Sequence, residues 1–231
     1  MGVGGKLAVD AHTLFTYRHR GVVHTSARHS HLVGTMVGLR KAQKEMTRTL
    51  LLETGLDLFN RNGYSATTVD EIAAGVGTTR TTFYLHFPSK ADLVRSLVAT
   101  ADDMLTSIDE PALPAVVASN DRETIKVFLG HKFDQWADLK PYITATHQAA
   151  AVEPDIQSTI DQWFDHAIND MTLGLDEANR FPQESRRVRC AMAFGELEFL
   201  SRRWMRLGWT VDRDTALETL VDSWCQLLTD A

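Results

Sequence analysis

The chain has 231 residues, 44% of them hydrophobic and 23% charged, and carries a formal net charge of −6. That length suits one large domain or two small ones, with enough apolar residues to bury a core. Two cysteines exclude a disulfide framework, and no aliphatic run is long enough for a transmembrane helix. The average acidity hides an asymmetry. Residues 1–90 hold 11 Lys+Arg against 6 Asp+Glu, whereas residues 91–231 hold 13 against 24. A basic front on an acidic back is the distribution expected of a nucleic-acid-contacting segment joined to another unit.

Residues 1–40 show no helical or strand periodicity, carry six glycines and five of the nine histidines, and read as a disordered leader. They lack the apolar core of about 7–15 residues that marks a secretory signal, so a cytoplasmic location is expected. His29 and His31 are close enough to share a metal, but an unstructured His-rich tract accounts for them and no metal site is assigned. Two readings stay open, a flexible basic arm that adds phosphate or minor-groove contacts or a segment without function, and a natural start at Met36 is expected.

Residues 41–106 read as four short helices with clear punctuation. The first starts near Thr47, a good N-cap, presents Leu51, Gly55, Leu58 and Phe59 on one face, and ends at Asn62-Gly63. Thr68 and Glu71 form a capping box at the start of the second, which turns Val69, Ile72 and Ala73 inward and halts at Gly75-Val76-Gly77. The third begins at Thr79, runs through Phe83 and Tyr84, and is stopped by Pro88. A fourth begins at Ser89-Lys90-Ala91-Asp92 and continues through Leu93, Val94, Leu97, Val98 and Ala101. Two short helices across a tight glycine turn make a helix-turn-helix pattern. The small residues Ala73 and Gly77 allow close approach, and the polar face Arg80-Thr81-Thr82 is left outward, where a helix of this kind meets base edges in a major groove.

The run from Leu51-Leu52-Glu53 through Leu58-Phe59, Asn62-Gly63-Tyr64, Ala66 to Ala73, Gly77, Thr79 and Thr82-Phe83-Tyr84-Leu85-His86-Phe87-Pro88-Ser89-Lys90 to Asp92-Leu93 resembles the DNA-binding domain of the TetR (tetracycline-repressor-like) transcriptional regulators. The resemblance covers about residues 44–95 and keeps the family spacing from Ile72 to Phe83 without a gap. It implies an all-α dimer with an N-terminal three-helix helix-turn-helix DNA-binding domain over residues 41–90. A larger C-terminal helical domain over residues 91–231 would bind a ligand and dimerise. The implied function is a sequence-specific regulator, by the family's usual mode a repressor, released from a palindromic operator by a small-molecule effector. Gly55 stands where the family usually has Ala, which weakens the first helix by about 0.5–1 kcal/mol. Thr78 replaces an apolar residue and Thr81 a common Gly, the latter altering which bases are read.

Roles follow from residue chemistry and the resemblance together. Thr47, Thr68 and Thr79 cap helices whose starts face the DNA backbone. Arg80 is the best base reader, since its guanidinium can grip guanine O6 and N7. Thr81 and Thr82 are candidates for thymine methyls or phosphates, and Tyr84, His86 and Lys90 for backbone clamps. Phe83 and Phe87 belong to the small core.

Residues 107–231 are helical throughout, with helices expected at about 111–119, 121–138, 141–151, 154–179, 183–207 and 212–229. Pro111, Pro141, Pro154 and Pro182 are placed at starts, and Asp121 and Asp212 as N-caps. The last two helices, 183–207 and 212–229, carry an apolar surplus that suits pairing with their twins in a homodimer. A pocket for an apolar, flat or acyl effector is expected between the middle helices, with Phe128, His131, Trp136, Tyr142, His147, Trp163, His166 and Phe194 as candidate lining. The rival readings are a sequestering partner of similar fold that leaves DNA alone, and an all-α enzyme built on carboxylates such as Asp161, Asp165 and Glu196. No hydrolase, metalloprotease, phosphate-loop or dinucleotide motif supports the second, so neither catalytic residue nor cofactor is assigned. Cys190 and Cys225 read as core fillers.

Overall fold

The structure, a computed structural model, describes residues 26–106 and 111–230, with side chains from residue 38 onward. Of the disordered leader expected over residues 1–40, residues 1–25 and the side chains of His29, His31 and Met36 lie outside the described residues, whereas from Ser26 onward the backbone is already helical, as the first part of α1. Among the described residues every regular element is a helix. In chain order these are α1 (Ser26–Asn62), α2 (Val69–Gly75), α3 (Arg80–His86), α4 (Lys90–Thr106), α5 (Leu113–Ala118), α6 (Arg122–Ala150), α7 (Pro154–Glu177), α8 (Gln183–Leu207) and α9 (Arg213–Leu228). Glu45–Ala231 forms one compact unit.

Several helix boundaries that rest on a local signal are found where expected. Thr68 accepts the Glu71 amide at 3.2 Å while its own amide donates to Glu71 Oε2 at 2.7 Å, completing a reciprocal capping box. Asp121 and Asp212 cap α6 and α9 by accepting the amides of Thr124 and Thr215. Gly77 sits at φ 70° and donates to Ala74 O, while the Thr78 amide reaches Ala73 O, the bonding of a Schellman ending.

Two expected boundaries give way. Thr47 lies inside α1 and caps nothing, because the run Lys41-Ala42-Gln43-Lys44-Glu45-Met46 ahead of it is made of good helix formers. Pro141 lies inside α6 instead of starting a helix of its own. The ring removes one helical hydrogen bond there. Trp136 and Leu139 are buried before it, and Ala145, Thr146 and Ala149 after it, so packing holds both halves on one axis.

Two apolar cores organise the unit. In the first, Leu51 and Phe59 of α1, Ile72 of α2, Phe83 of α3, Phe87, and Leu93 and Val94 of α4 are fully buried. Ala145, Ala149 and Ile156 join it, so the end of α6 and the start of α7 brace the N-terminal helices. Gly55 has a packing reason: an added Cβ would lie 3.0 Å from both Leu93 methyls, so glycine lets α1 seat on α4. The second core joins Val116 and Val117 of α5, Leu129 and Phe133 of α6, Met171 and Leu175 of α7, Cys190 of α8, and Leu217, Val221 and Trp224 of α9. Burial raises the Cys190 thiol pKa, which suits a core filler and not a reactive thiolate. At Gly174 a Cβ would collide with the Pro114 carbonyl and lie 2.9 Å from Val117 Cβ, so α5 and α7 meet backbone to backbone.

Candidate nucleic-acid interface and cavity

The α2–turn–α3 unit presents one face of α3 to solvent over a rigid base. Phe83 is fully buried, Phe87 nearly so, and the two rings pack 5.7 Å apart between centroids. That anchor leaves Arg80, Thr81, Tyr84 and Leu85 exposed. Thr79 caps α3, its hydroxyl oxygen accepting the Thr82 amide at 3.2 Å, with the two hydroxyls 3.1 Å apart. Arg80 is held ready: its guanidinium donates to Asp70 Oδ2 at 3.0 Å and to the Tyr84 hydroxyl at 3.2 Å. Asp70 thereby links the two helices of the motif through the side chain that reaches furthest from it.

The other expected contact residues divide. Thr68 is exposed, on the capping box at the start of α2. His86 is half-buried at the end of α3, away from the exposed first turn. Lys90 turns inward: its ammonium donates to the carbonyls of Tyr64 at 2.7 Å and Thr67 at 2.8 Å and sits 4.1 Å from the Tyr64 ring centroid. It therefore holds the α1–α2 turn and is placed to position the motif, where the spacing alone suggested a phosphate clamp. Arg48 went unnoticed in the sequence. Its guanidinium lies 4.3 Å from the Phe87 ring centroid and donates to Ser96 Oγ at 2.9 Å, tying α1 to α4. No local pattern marks it, since its partners are distant in sequence.

A cavity of about 120 Å3 lies between α4, α6, α7 and α8. Leu105, Trp136, Ile160, Trp163, Phe164 and Phe194 make most of its wall apolar. The polar groups there are mostly committed. Asp102 accepts the Trp163 indole N–H at 2.7 Å, and buried Lys132 donates to Leu105 O at 2.5 Å, closing the end of α4. His147 lines one side, and burial, helped by the charge of Arg202, lowers its pKa and keeps it neutral. Of the residues expected to line a pocket, Trp136, His147, Trp163 and Phe194 come together here. Phe128, His131, Tyr142 and His166 do not. Phe128 packs on Trp224 in the core, Tyr142 packs against the N-terminal core, and His131 and His166 are exposed. The reason is helical phase: His131 and Tyr142 lie on α6 with Trp136 but project from other sides of it.

Residues 51–97 match the family described as bacterial regulatory proteins, tetR family. The matched segment is the α1–α4 unit whose packing is described above. Over these residues the chain is similar to the tetR family. Over its greater length it is similar to the transcriptional regulator TtgR of Pseudomonas putida, with 28% identity across 84% of this chain and 96% of that one. The regulator YerO of Bacillus subtilis is 30% identical over 40% of this chain, and the match spans only 32% of that relative's length. In fold the chain is similar to NalD, the secondary repressor of the MexAB-OprM multidrug efflux pump in Pseudomonas aeruginosa. That likeness has a TM-score of 0.58, 21% identity, and covers 80% of this chain and 97% of that one.

The last two helices, α8 and α9, differ in what they leave outside. The apolar residues of α9, from Ala216 to Leu228, are spent inside the chain's own core. On α8, Val188, Met192 and Phe199 stay exposed along one stripe, and a Cβ on Gly195, within that stripe, would meet nothing. Such a stripe on a helix otherwise rich in arginine is an unusual surface for a lone chain. Among the described residues no helix is long and apolar enough to cross a membrane, and no His/Cys/Asp/Glu group could hold a metal.

Proposed function

We propose that this chain is a cytoplasmic, sequence-specific DNA-binding repressor, without catalytic activity, that acts as a homodimer and leaves its operator when a small apolar molecule fills the cavity. The observation that carries the reading is the exposed Arg80–Tyr84 face of α3, backed by two buried phenylalanines. Such a face is rigid and polar, and Arg80 on it is held only by the exposed partners Asp70 and Tyr84, which a base edge can replace. Thr68, Thr79, Thr81 and Thr82 flank it as candidate backbone and methyl contacts. The exposed stripe on α8 supports pairing with a second copy, with α9 backing it from within. Two-fold pairing would set two α3 helices about 34 Å apart, one turn of DNA, and so demand a palindromic site.

Release has a physical route in α4. Val98, Ala101, Asp102 and Leu105 of α4 line the cavity, while Lys90 in its first turn holds the α1–α2 turn. A ligand that fits the cavity only after α4 shifts binds the released state more tightly, which is the condition for it to loosen DNA. Footprinting the purified chain on the DNA upstream of its own gene tests the reading. A salt-sensitive, two-fold symmetric footprint is expected. No protection at low salt would refute it.

A further inference from the structure

A second cavity, of about 510 Å3, opens on the far side of His147. It shares Ile143, His147, Glu198, Arg202 and Met205 with the apolar cavity, so the two are neighbours across a common wall. Its own lining adds Thr144, Gln148, Phe199, Arg203 and Arg206, so the cleft begins at Phe199, the end of the exposed stripe of α8. These cations stand in the acidic part of the chain, where carboxylates outnumber basic residues. There the other arginines are committed: Arg122 to Glu218 and Asp222, Arg186 to Asp176, Arg187 to Asp165, Arg213 to Asp134, Arg180 and Arg189 to main-chain carbonyls. Arg95 pairs with Asp92, and Arg202 with Glu198 at 3.1 Å. Among the described residues Arg203 and Arg206 have no ion pair or hydrogen bond. Glu198, already paired, is the only carboxylate in the lining of their cleft. The last turn of α8 favours a cation at Arg206, but two guanidiniums one helical turn apart without carboxylate partners, beside an aromatic cavity, also make a surface suited to an anion.

We propose that the two cavities form one site for an amphipathic anion, its apolar body in the inner cavity and its carboxylate or phosphate head at Arg203 and Arg206. This rests on the reading that the inner cavity receives the effector and adds the chemistry of the head group. Neutral His147 separates the two compartments and adds no second charge. Gln148 lines the outer cleft and accepts the Tyr64 amide at 2.9 Å, so a head group there adjoins the residue that holds the α1–α2 turn.

The test titrates the purified full chain with dodecanoate, dodecyl phosphate and dodecanol below their micellar concentrations. Emission from Trp136 and Trp163 reports filling of the inner cavity. Both anions should bind at least about tenfold more tightly than dodecanol. The R203Q/R206Q variant, with an unchanged melting curve and oligomeric state, should lose that preference and keep its affinity for dodecanol. A stronger response to dodecyl phosphate than to dodecanoate assigns a phosphate head, and the reverse a carboxylate. Failure of all three to bind, equal affinity for all three, or an anion preference that survives in the variant overturns the inference. So does a variant that changes oligomeric state, because the arginines would then be subunit contacts. Displacement of footprinted DNA separates this from the parent reading. If dodecanol releases DNA as well as dodecanoate does, the effector cavity stands and the anionic head fails. If dodecanoate binds with preference but releases nothing, the head group stands and ligand-driven release fails.

Discussion

Arg80 and Lys90 carry the same charge on neighbouring helices, and the structure gives them different work. Arg80 lies in the open, steadied by Asp70 and Tyr84, and can exchange those partners for a base edge. Arg80→Ala should flatten the preference for operator over random DNA, read by competition binding, and leave the melting curve unchanged. Lys90 is spent on the Tyr64 and Thr67 carbonyls. Lys90→Met should cost about 1 kcal/mol in denaturant unfolding and leave the salt dependence of DNA binding as it was. A slope reduced by one phosphate contact would return Lys90 to the role its position suggested. His147 gives a pH prediction. Its folded pKa is depressed by burial, so the unfolded chain takes a proton that the folded chain refuses. The stability tied to the neutral ring is complete above the unfolded value of about 6.5 and is lost as pH falls through the folded one. The fall in melting temperature between pH 7 and pH 5 should be smaller in His147→Gln than in the unaltered chain.

At the scale of elements, contact between helices decides what local sequence leaves open. The backbone contact at Gly174 is the strictest case. Gly174→Ala gains helix propensity yet forces α5 away from α7, and should lower stability by about 1–3 kcal/mol in chemical denaturation. A stabilised variant would mean that α5 can move aside. The end of α6 makes the converse point. Gln148 holds the Tyr64 amide beside the N-terminal core, and Gln148→Ala should speed hydrogen exchange over residues 63–68 several-fold while α9 stays protected.

At the scale of the whole molecule, the net charge of −6 describes no surface in particular. The N-terminal helices present a few placed polar side chains on α3, and the proposed DNA contact rests on these and not on net charge. In the acidic remainder most arginines are paired with carboxylates or main-chain carbonyls, and Arg203 and Arg206 stand together at one cleft. The stripe of Val188, Met192 and Phe199 is the other feature that only the whole chain explains, since α9 beside it spends its apolar residues internally. Met192→Glu should shift the chain to a monomer in size-exclusion chromatography and abolish the symmetric footprint, leaving at most weak binding to a half-site. An unchanged elution volume would place the dimer surface elsewhere.

The sequence by itself determined the all-helical fold, the helix-turn-helix and the face of α3 turned outward. These rest on signals that act within three or four residues: Thr68 with Glu71, Thr79 with Thr82, the caps Asp121 and Asp212, and glycine at a positive φ in Gly63 and Gly77. Only the tertiary structure decided that Pro141 does not break α6 and that Gly55 is there for Leu93. It also turned Lys90 inward and recruited Arg48. Of eight residues with pocket-like chemistry it gathered Trp136, His147, Trp163 and Phe194 and sent the others to the core or the surface. Helical periodicity tells which residues share a side of one helix. Which neighbour that side meets, and whether a cation there finds a carboxylate, depends on chain segments tens of residues away, as Arg203 and Arg206 show.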